Sequence, residues 1–379
     1  MDIDQVLSRG VAEILPGKKE LVTLMKKRKI KLYQGFDATA PSLHIGHFIG
    51  LRKLAQFQKL GHKVIFLIGD FTSLIGDPTD KKAARVKQTR QQVMDNFKNY
   101  KKQAGKIIDF DGKNKAEVVF NSSWLGKLNF EEILNLSSNF TVGQMLERNM
   151  FQERLKNDKP VYLHEFMYPL MQGYDSVYMN VDLEIGGSDQ LFNMMAGRTL
   201  MKAMISKEKY VLTTKLLEDP GGKKMGKTEG NSVDLSDSSE KTFGKIMSLP
   251  DGFIDLGIEL LTDLPLDHRK RVGPLAAKKD WAFETVAQVH GNTQALKARD
   301  HFETTFQKAS PSYFKKISVL DNLLDAVVRA SGVSNSQAKR LIAGSAVSVN
   351  NIVITNPKAK VQKGDRLKIG KKLFVTLEL

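Results

Sequence analysis

Between residues 30 and 215 the sequence alternates: short runs with the β-branched and aromatic make-up of strands are separated by longer stretches with helical apolar spacing. The strand candidates are Lys31–Gln34, Val64–Ile68, Glu117–Phe120, Val181–Ile185 and Tyr210–Thr213. Such alternation predicts an α/β fold, a doubly wound parallel sheet with helices on both faces. Ligands of these folds sit beyond the carboxyl ends of the strands. Three of those ends carry polar, glycine-rich loops: the turn holding His44 and His47, the segment FTSLIGDPTDKK with Asp77, and IGGSDQ.

The first of these, YQGFDATAPSLHIGH (33–47), enters from a strand and leaves into HFIGLRKLAQFQKLG, where Phe48, Leu51, Leu54 and Ala55 recur at helical spacing up to Gly61. His44 and His47, three apart, share one side of the first helical turn, and Gly46 between them removes a side chain where a ligand would approach. Unpaired backbone N–H groups and the positive end of the helix dipole are expected there, a geometry that suits polyphosphate. The histidines would donate hydrogen bonds to oxygens that gain charge as an α-phosphate is attacked. Taken alone, HxGH reads equally well as two partly exposed histidines at a helix start.

At 379 residues the chain exceeds one comfortable core, which predicts two or three domains. Its 41% hydrophobic and 26% charged content is that of a globular protein. No apolar run is long enough to span a bilayer, and the opening MDIDQVLSRG lacks the basic and apolar regions of a leader, so a cytoplasmic protein is expected. The absence of cysteine excludes disulfides, thiolate metal sites and cysteine nucleophiles. No metal cage of protein ligands alone is evident. The formal charge of +16 points to a polyanionic partner, nucleic acid before membrane, because no basic amphipathic stripe stands out.

The second strand end leads into a basic run of Lys81, Lys82, Arg85, Lys87 and Arg90. About sixty residues separate the third and fourth strands, more than a crossover helix requires. Within them FEEILNLSSNFTVGQMLERNMFQERL reads as helix, with Ile133, Leu134, Phe140, Met145, Leu146, Met150 and Phe151 as its apolar set. By pattern alone that face is core rather than subunit contact. Next, His164, Tyr168, Gln172 and Asp175 fall at steps of four, four and three, one polar stripe flanked by Phe166, Met167, Leu170, Met171 and Val177. It reads as a pocket wall, and Pro169 inside it predicts a kink or a broken start.

Residues 220–231, PGGKKMGKTEGN, form a glycine- and lysine-rich loop in which Lys224 and Lys227 could close over a leaving pyrophosphate; alone it reads as a solvated linker. Residues 240–315 turn helical, with a basic run from His268 to Arg271. From about Ser318 come two short helices, then strands broken at Asn350-Asn351, Asn356-Pro357 and Lys363-Gly364-Asp365. Basic residues there, among them Lys339, Arg340, Lys363 and Arg366, outnumber acids, the composition of a small RNA-binding module.

Together these features resemble the bacterial tyrosyl-tRNA synthetases, class I enzymes, over nearly the whole chain. His44-Ile45-Gly46-His47 is similar to the first class signature. Lys224-Met225-Gly226-Lys227-Thr228 resembles the second, usually KMSKS, with two departures, and the tail is similar to an S4 domain. The resemblance implies a Rossmann-like catalytic domain over 1–220 with a dimerisation insertion at about 122–160. A lysine loop and an α-helical domain that meets the anticodon arm would follow over 221–315, then a small α+β S4 RNA-binding domain over 316–379. It further implies ATP and tyrosine as substrates, Mg2+ on the ATP phosphates, tRNA(Tyr) as acceptor and a homodimer built through the insertion, which moves the methionine-rich face from core to interface.

The implied tyrosine site has Tyr33 and Asp175 on the substrate phenol, with Asp77, Tyr168, Gln172 and Gln190 on its ammonium and carboxylate. The implied ATP site begins with Gly35, Asp37, Thr39, His44, Gly46 and His47. It continues with Gly187 and Asp189, and with Lys224, Met225, Lys227 and Thr228 of the second signature. Charge on the leaving pyrophosphate would be taken up by His44, His47, Lys81, Arg85, Lys224 and Lys227. Gln34 and Gly50 stand where many relatives have cysteine and threonine, which bears on the ribose contacts. Three rivals remain. A tryptophanyl-tRNA synthetase would need neither Tyr33 nor the tail, a small-molecule HxGH nucleotidyltransferase neither the lysine loop nor the tail, and an inactive RNA-binding scaffold none of the polar set.

Overall fold

The computed structural model describes residues 2–77, 89–219, 221–222, 232–307, 315–318, 320, 322–350, 352–370 and 373–378. They fall into two compact units, Met1–Leu296 and Lys297–Leu379. The first is built on a six-stranded sheet of β1 (Val11–Leu15), β2 (Lys31–Phe36), β3 (Lys63–Ile68), β4 (Glu117–Phe120), β5 (Leu183–Gly187) and β6 (Tyr210–Thr214), in the spatial order β1-β6-β5-β2-β3-β4. β2 pairs in parallel with β3 on one side and β5 on the other. After β4 the chain crosses back over β2 to lay down β5 and β6, so the strand order reverses beside β2. The crevice at the carboxyl ends of β2 and β5 is therefore the switch point at which such sheets take ligands.

The five strand candidates are present with ends shifted by at most two residues. β1 is an addition: VAEIL joins β6 antiparallel at the sheet edge, half-exposed, with too few alternating residues to signal a strand. Between β2 and β4, β3 buries all but its first residue, as a strand covered on both faces must.

The segment expected as one helix in the insertion is three: Phe130–Ser137, Val142–Leu146 and Asn149–Lys156. Asn129 and Thr141 each open a new helix through a reciprocal capping box with Glu132 and Gln144, and that local chemistry outweighs the continuous apolar period. The apolar set divides accordingly. Met145 and Phe151 are buried, while Leu134 (53% exposed) joins Phe130 (74%) and Val142 (71%) on the surface. The pocket helix, Leu163–Met179, runs through Pro169 without a break, so the proline costs it local hydrogen bonding and not its continuity.

In the second unit β7 (Lys315–Ser318), β8 (Val347–Val349), β9 (Ile352–Val353), β10 (Arg366–Ile369) and β11 (Leu373–Glu378) form a sheet in the order β7-β11-β10-β8-β9. Helices Leu323–Ser331 and Asn335–Ala343 cover it, packing Leu323, Val327 and Ile342 against Leu367 and Val375. β7 was not anticipated: it precedes the helices and pairs in parallel with β11, the last strand. Lys339, Arg340, Lys363 and Arg366 are exposed. Among the described residues no helix is long and apolar enough to cross a membrane.

Candidate active site

His44 is the N-cap of the signature helix, Ile45–Lys59. Its Nδ1 accepts the Gly46 N–H at 3.1 Å, and the His47 Nδ1 accepts the His44 N–H at 3.1 Å, a capping box made from two imidazoles. A ring nitrogen that accepts an amide proton carries none, so each neutral ring holds its proton on Nε2 and can donate from there. The reason for Gly46 differs from the one expected. A Cβ there would lie 2.8 Å from the His44 ring, so the glycine makes room for the imidazole that caps the helix.

The expected unpaired amides are not found. The Ile45 N–H donates to Val233 O (2.9 Å), the Gly46 N–H to His44 Nδ1 and the His47 N–H to His44 O (2.8 Å). Anion attraction at this turn rests on the helix dipole and the two Nε2 donors. Leu235 N–H also donates to Leu43 O (2.9 Å), and His44 bridges Asp234, so the segment after the second signature is stitched to the first.

On the other side of β2, Tyr33 is fully buried against the pocket helix with its hydroxyl 2.8 Å from Ser176 Oγ. Asp175, 2% exposed, accepts Trp124 Nε1–H at 2.7 Å and Asn121 Nδ2–H at 3.2 Å. Burial pushes the Asp175 carboxyl well above the usual carboxylate range, against the pull of those two bonds. Burial, then the charges of Glu184 and Asp175, push the Tyr33 phenol up. From Asp175 a chain of hydrogen bonds continues: Asn121 Nδ2 to Thr72 Oγ1 (3.2 Å), Thr72 Oγ1 to Asp37 Oδ1 (2.8 Å), and Tyr168 Oη to Asp37 Oδ2 (2.9 Å). It joins residues implied for tyrosine to one implied for ATP.

Asp77 accepts Arg148 Nη2–H and Gln190 Nε2–H, both at 2.7 Å. Gln172 Nε2 donates to Glu184 Oε1 at 2.8 Å. His164, the outer end of the sequence stripe, is exposed and stacked on Tyr162, so the pocket wall begins at Tyr168.

A family model described as tRNA synthetases class I (W and Y) matches residues 25–307, and an S4 domain matches residues 322–367. The chain is 39% identical to the tyrosine–tRNA ligase of Carboxydothermus hydrogenoformans, over 98% of this chain and 97% of that protein. It is 40% identical to the tyrosine–tRNA ligase of Oleidesulfovibrio alaskensis, over 100% and 99%. The chain belongs to the class I tRNA synthetases of the W and Y family. Among solved structures, the C-terminally truncated mitochondrial tyrosyl-tRNA synthetase of Coccidioides posadasii, 25% identical, is similar to this synthetase with a TM-score of 0.63, over 78% of this chain and 90% of that one.

Of the remaining candidates in the synthetase, Gly35 lies near the end of β2, Thr39 donates its N–H to Asp37 O (2.8 Å), Gly187 ends β5, and Asp189 is exposed in the turn Ser188–Gln190. Lys81, Arg85, Lys224, Met225, Lys227 and Thr228 lie outside the described residues. Gln34 alternates to the opposite face from Tyr33, and its amide lies where a side chain at position 50 would be. Its Oε1 is buried with no hydrogen-bond partner among the described residues. Gln34 and Gly50 are thus sterically coupled.

Sequence reasoning missed Asn121, Trp124, Thr72 and Arg148. Asn121 and Trp124 were findable, because they follow β4 directly and a fourth strand end faces the same crevice. Arg148 lacked a signal: nothing in its neighbourhood predicts its contact with Asp77. Among the described residues no group of three or more His, Asp or Glu side chains is gathered to hold a metal.

Proposed function

We propose that this chain is a tyrosine–tRNA ligase that activates tyrosine with ATP and transfers it to the terminal ribose of tRNA(Tyr). The observation that carries the reading is the buried pair at the switch point: the Asp175 carboxylate and the Tyr33 hydroxyl, packed among Trp124, Ile65 and Leu67 beside the His44–His47 turn. A carboxylate that accepts and a hydroxyl that donates match a phenol, and phenylalanine would leave both groups unpaired. Asp77, Tyr168, Gln172 and Gln190 would hold the substrate ammonium and carboxylate. Asp77 is already paired with Arg148, so the ammonium shares that carboxylate or displaces the guanidinium.

MgATP is the second substrate, its phosphates facing His44 and His47 and its remaining contacts made by Asp37, Thr39, Gly187 and Asp189. The tyrosine carboxylate oxygen attacks the α-phosphorus, an oxygen–phosphorus bond forms, and pyrophosphate leaves with the electron pair. The two Nε2–H donors meet charge that develops in that step, with Lys81, Arg85, Lys224 and Lys227 assigned to the leaving group. A ribose hydroxyl of tRNA then attacks the adenylate carbonyl, releasing AMP. The exposed Phe130, Leu134 and Val142 fit a homodimer contact through the insertion. The second unit offers Lys339, Arg340, Lys363 and Arg366 to tRNA, and we assign the enzyme to the cytoplasm.

The test is amino-acid-dependent exchange of pyrophosphate into ATP without tRNA, with tyrosine, phenylalanine and tryptophan in turn. Exchange driven by tyrosine alone is expected. Exchange driven by tryptophan would reassign the pocket, and none with any of the three would leave an RNA-binding scaffold.

A further inference from the structure

Beneath the tyrosine site lies a buried ion pair to which the reaction assigns no part. Lys209, just before β6, and Glu184, on β5, have side chains 0% and 2% exposed, and Lys209 Nζ donates to Glu184 Oε2. Two more bonds saturate the ammonium, to Ser176 Oγ (2.9 Å) and to Met194 O (3.1 Å). Burial disfavours the charged lysine and Glu184 opposes that shift. A buried ion pair gains little net stability over apolar residues of the same volume, so folding alone does not account for it. Its contacts do.

An ammonium can only donate, so Ser176 Oγ accepts from Lys209. Among the described residues the other partner of Ser176 Oγ is the Tyr33 hydroxyl, at 2.8 Å. Bonds in a chain reinforce one another when they point the same way, which has Ser176 donating to Tyr33. The Tyr33 proton is then left for Glu184 or for the substrate phenol oxygen, and the charge of Lys209 weakens the pull of Glu184 on it. At the other end an ionised Glu184 can only accept. It takes the Gln172 Nε2–H and so turns Gln172 Oε1 the other way, as an acceptor. Tyrosine needs a donor at its phenol oxygen and acceptors at its ammonium.

We propose that the Lys209–Glu184 pair is a positioning element for tyrosine selection, setting the hydrogen-bond direction of Tyr33 through Ser176 and the amide orientation of Gln172. The inference rests on the tyrosine reading of the pocket given above.

The experiment measures pyrophosphate exchange with tyrosine and with phenylalanine, the KM for ATP, and thermal midpoints, for the full chain and for Lys209→Met and Ser176→Ala. Ser176→Ala leaves the ion pair in place, cutting the relay and one of the three bonds on the Lys209 ammonium. It is expected to lower kcat/KM for tyrosine roughly 10-fold and the midpoint slightly, while leaving phenylalanine and the ATP KM unchanged. Lys209→Met is expected to lower the tyrosine-to-phenylalanine ratio further, roughly 100-fold. Should Lys209→Met fail to fold, Ser176→Ala decides alone. An unchanged ratio, or equal losses for both amino acids, would mean that the pair is only structural and would overturn the proposal. An unmodified chain that does not prefer tyrosine would instead overturn the reading of the pocket, and the positioning role with it.

Discussion

On the proposed tyrosine side of the site Tyr33, Tyr168 and Asp175 are buried and oriented by other side chains, whereas on the proposed nucleotide side the two histidines are partly exposed and oriented by backbone N–H groups at a helix start. The buried lysines of the two sides repeat the contrast. Lys209, under the tyrosine pocket, has a carboxylate and two further acceptors. Lys53, on the signature helix, is 5% exposed and donates to Val6 O at 2.6 Å, with Arg52 and Arg9 nearby. Burial, then the charge of Arg52, lowers its pKa to about 7. The amino-acid site is thus fixed by its own internal electrostatics. The nucleotide site hangs on the geometry of one helical turn, and the buried lysine of the helix behind it has a backbone carbonyl where Lys209 has a carboxylate.

That contrast is open to test at several strengths. Asp175→Asn sets an NH2 donor against one of the Asn121 and Trp124 donors and leaves a single acceptor oxygen where the carboxylate had two, so little acceptor capacity remains for the substrate phenol. The tyrosine kcat/KM should fall on the order of 1000-fold, with the ATP KM little changed; a matching rise in the ATP KM would show that the two sides are not separable. His44→Asn keeps an N-cap acceptor and loses the Nε2 donor, so exchange should slow roughly 100-fold at an unchanged melting temperature. His44→Ala should show the same slowing plus a lower midpoint, and equal midpoints for the two variants would refute the capping role.

Smaller effects are expected further from the chemistry. Gly50→Ala would drive a methyl into the Gln34 amide, raising the ATP KM roughly 10-fold without touching the tyrosine KM; the double variant with Gln34→Ala should recover most of the loss. Lys53→Met should leave exchange alone and change only stability. Because the folded pKa of Lys53 lies near 7, below its ordinary value of 10.5, the unfolded chain binds more protons between those values, and stability rises with pH across that window. Removing the lysine should raise the midpoint at pH 7 by about 2–4 °C, and the gain should vanish toward pH 10. A gain independent of pH would show that Lys53 is not the titrating group.

Strand–helix alternation and the His44–His47 spacing made the sheet and its switch point legible, because both are local periodicities. β1 and β7 were not, since each is held by a partner far along the chain: Val11–Leu15 by β6, and Lys315–Ser318 by β11. The stripe Tyr168, Gln172 and Asp175 was legible as one face of a helix. His164 belonged to the same face by spacing but lies exposed in the first turn of the helix, outside the pocket. The partners that set those side chains, Asn121 for Asp175 and Glu184 for Gln172, come from the turn after β4 and from β5. No spacing along one element could reveal them.

The alignment of two neighbouring strands also ties folding to selectivity. Tyr210 pairs with Leu183 and Val211 with Glu184, which is what brings Lys209 to Glu184. A slip of one residue between β5 and β6 would send the lysine to the opposite face and leave two charges buried apart, about 3–5 kcal/mol worse. The register that completes the pocket is therefore also the register the buried charges favour, and a misaligned chain would lose both together.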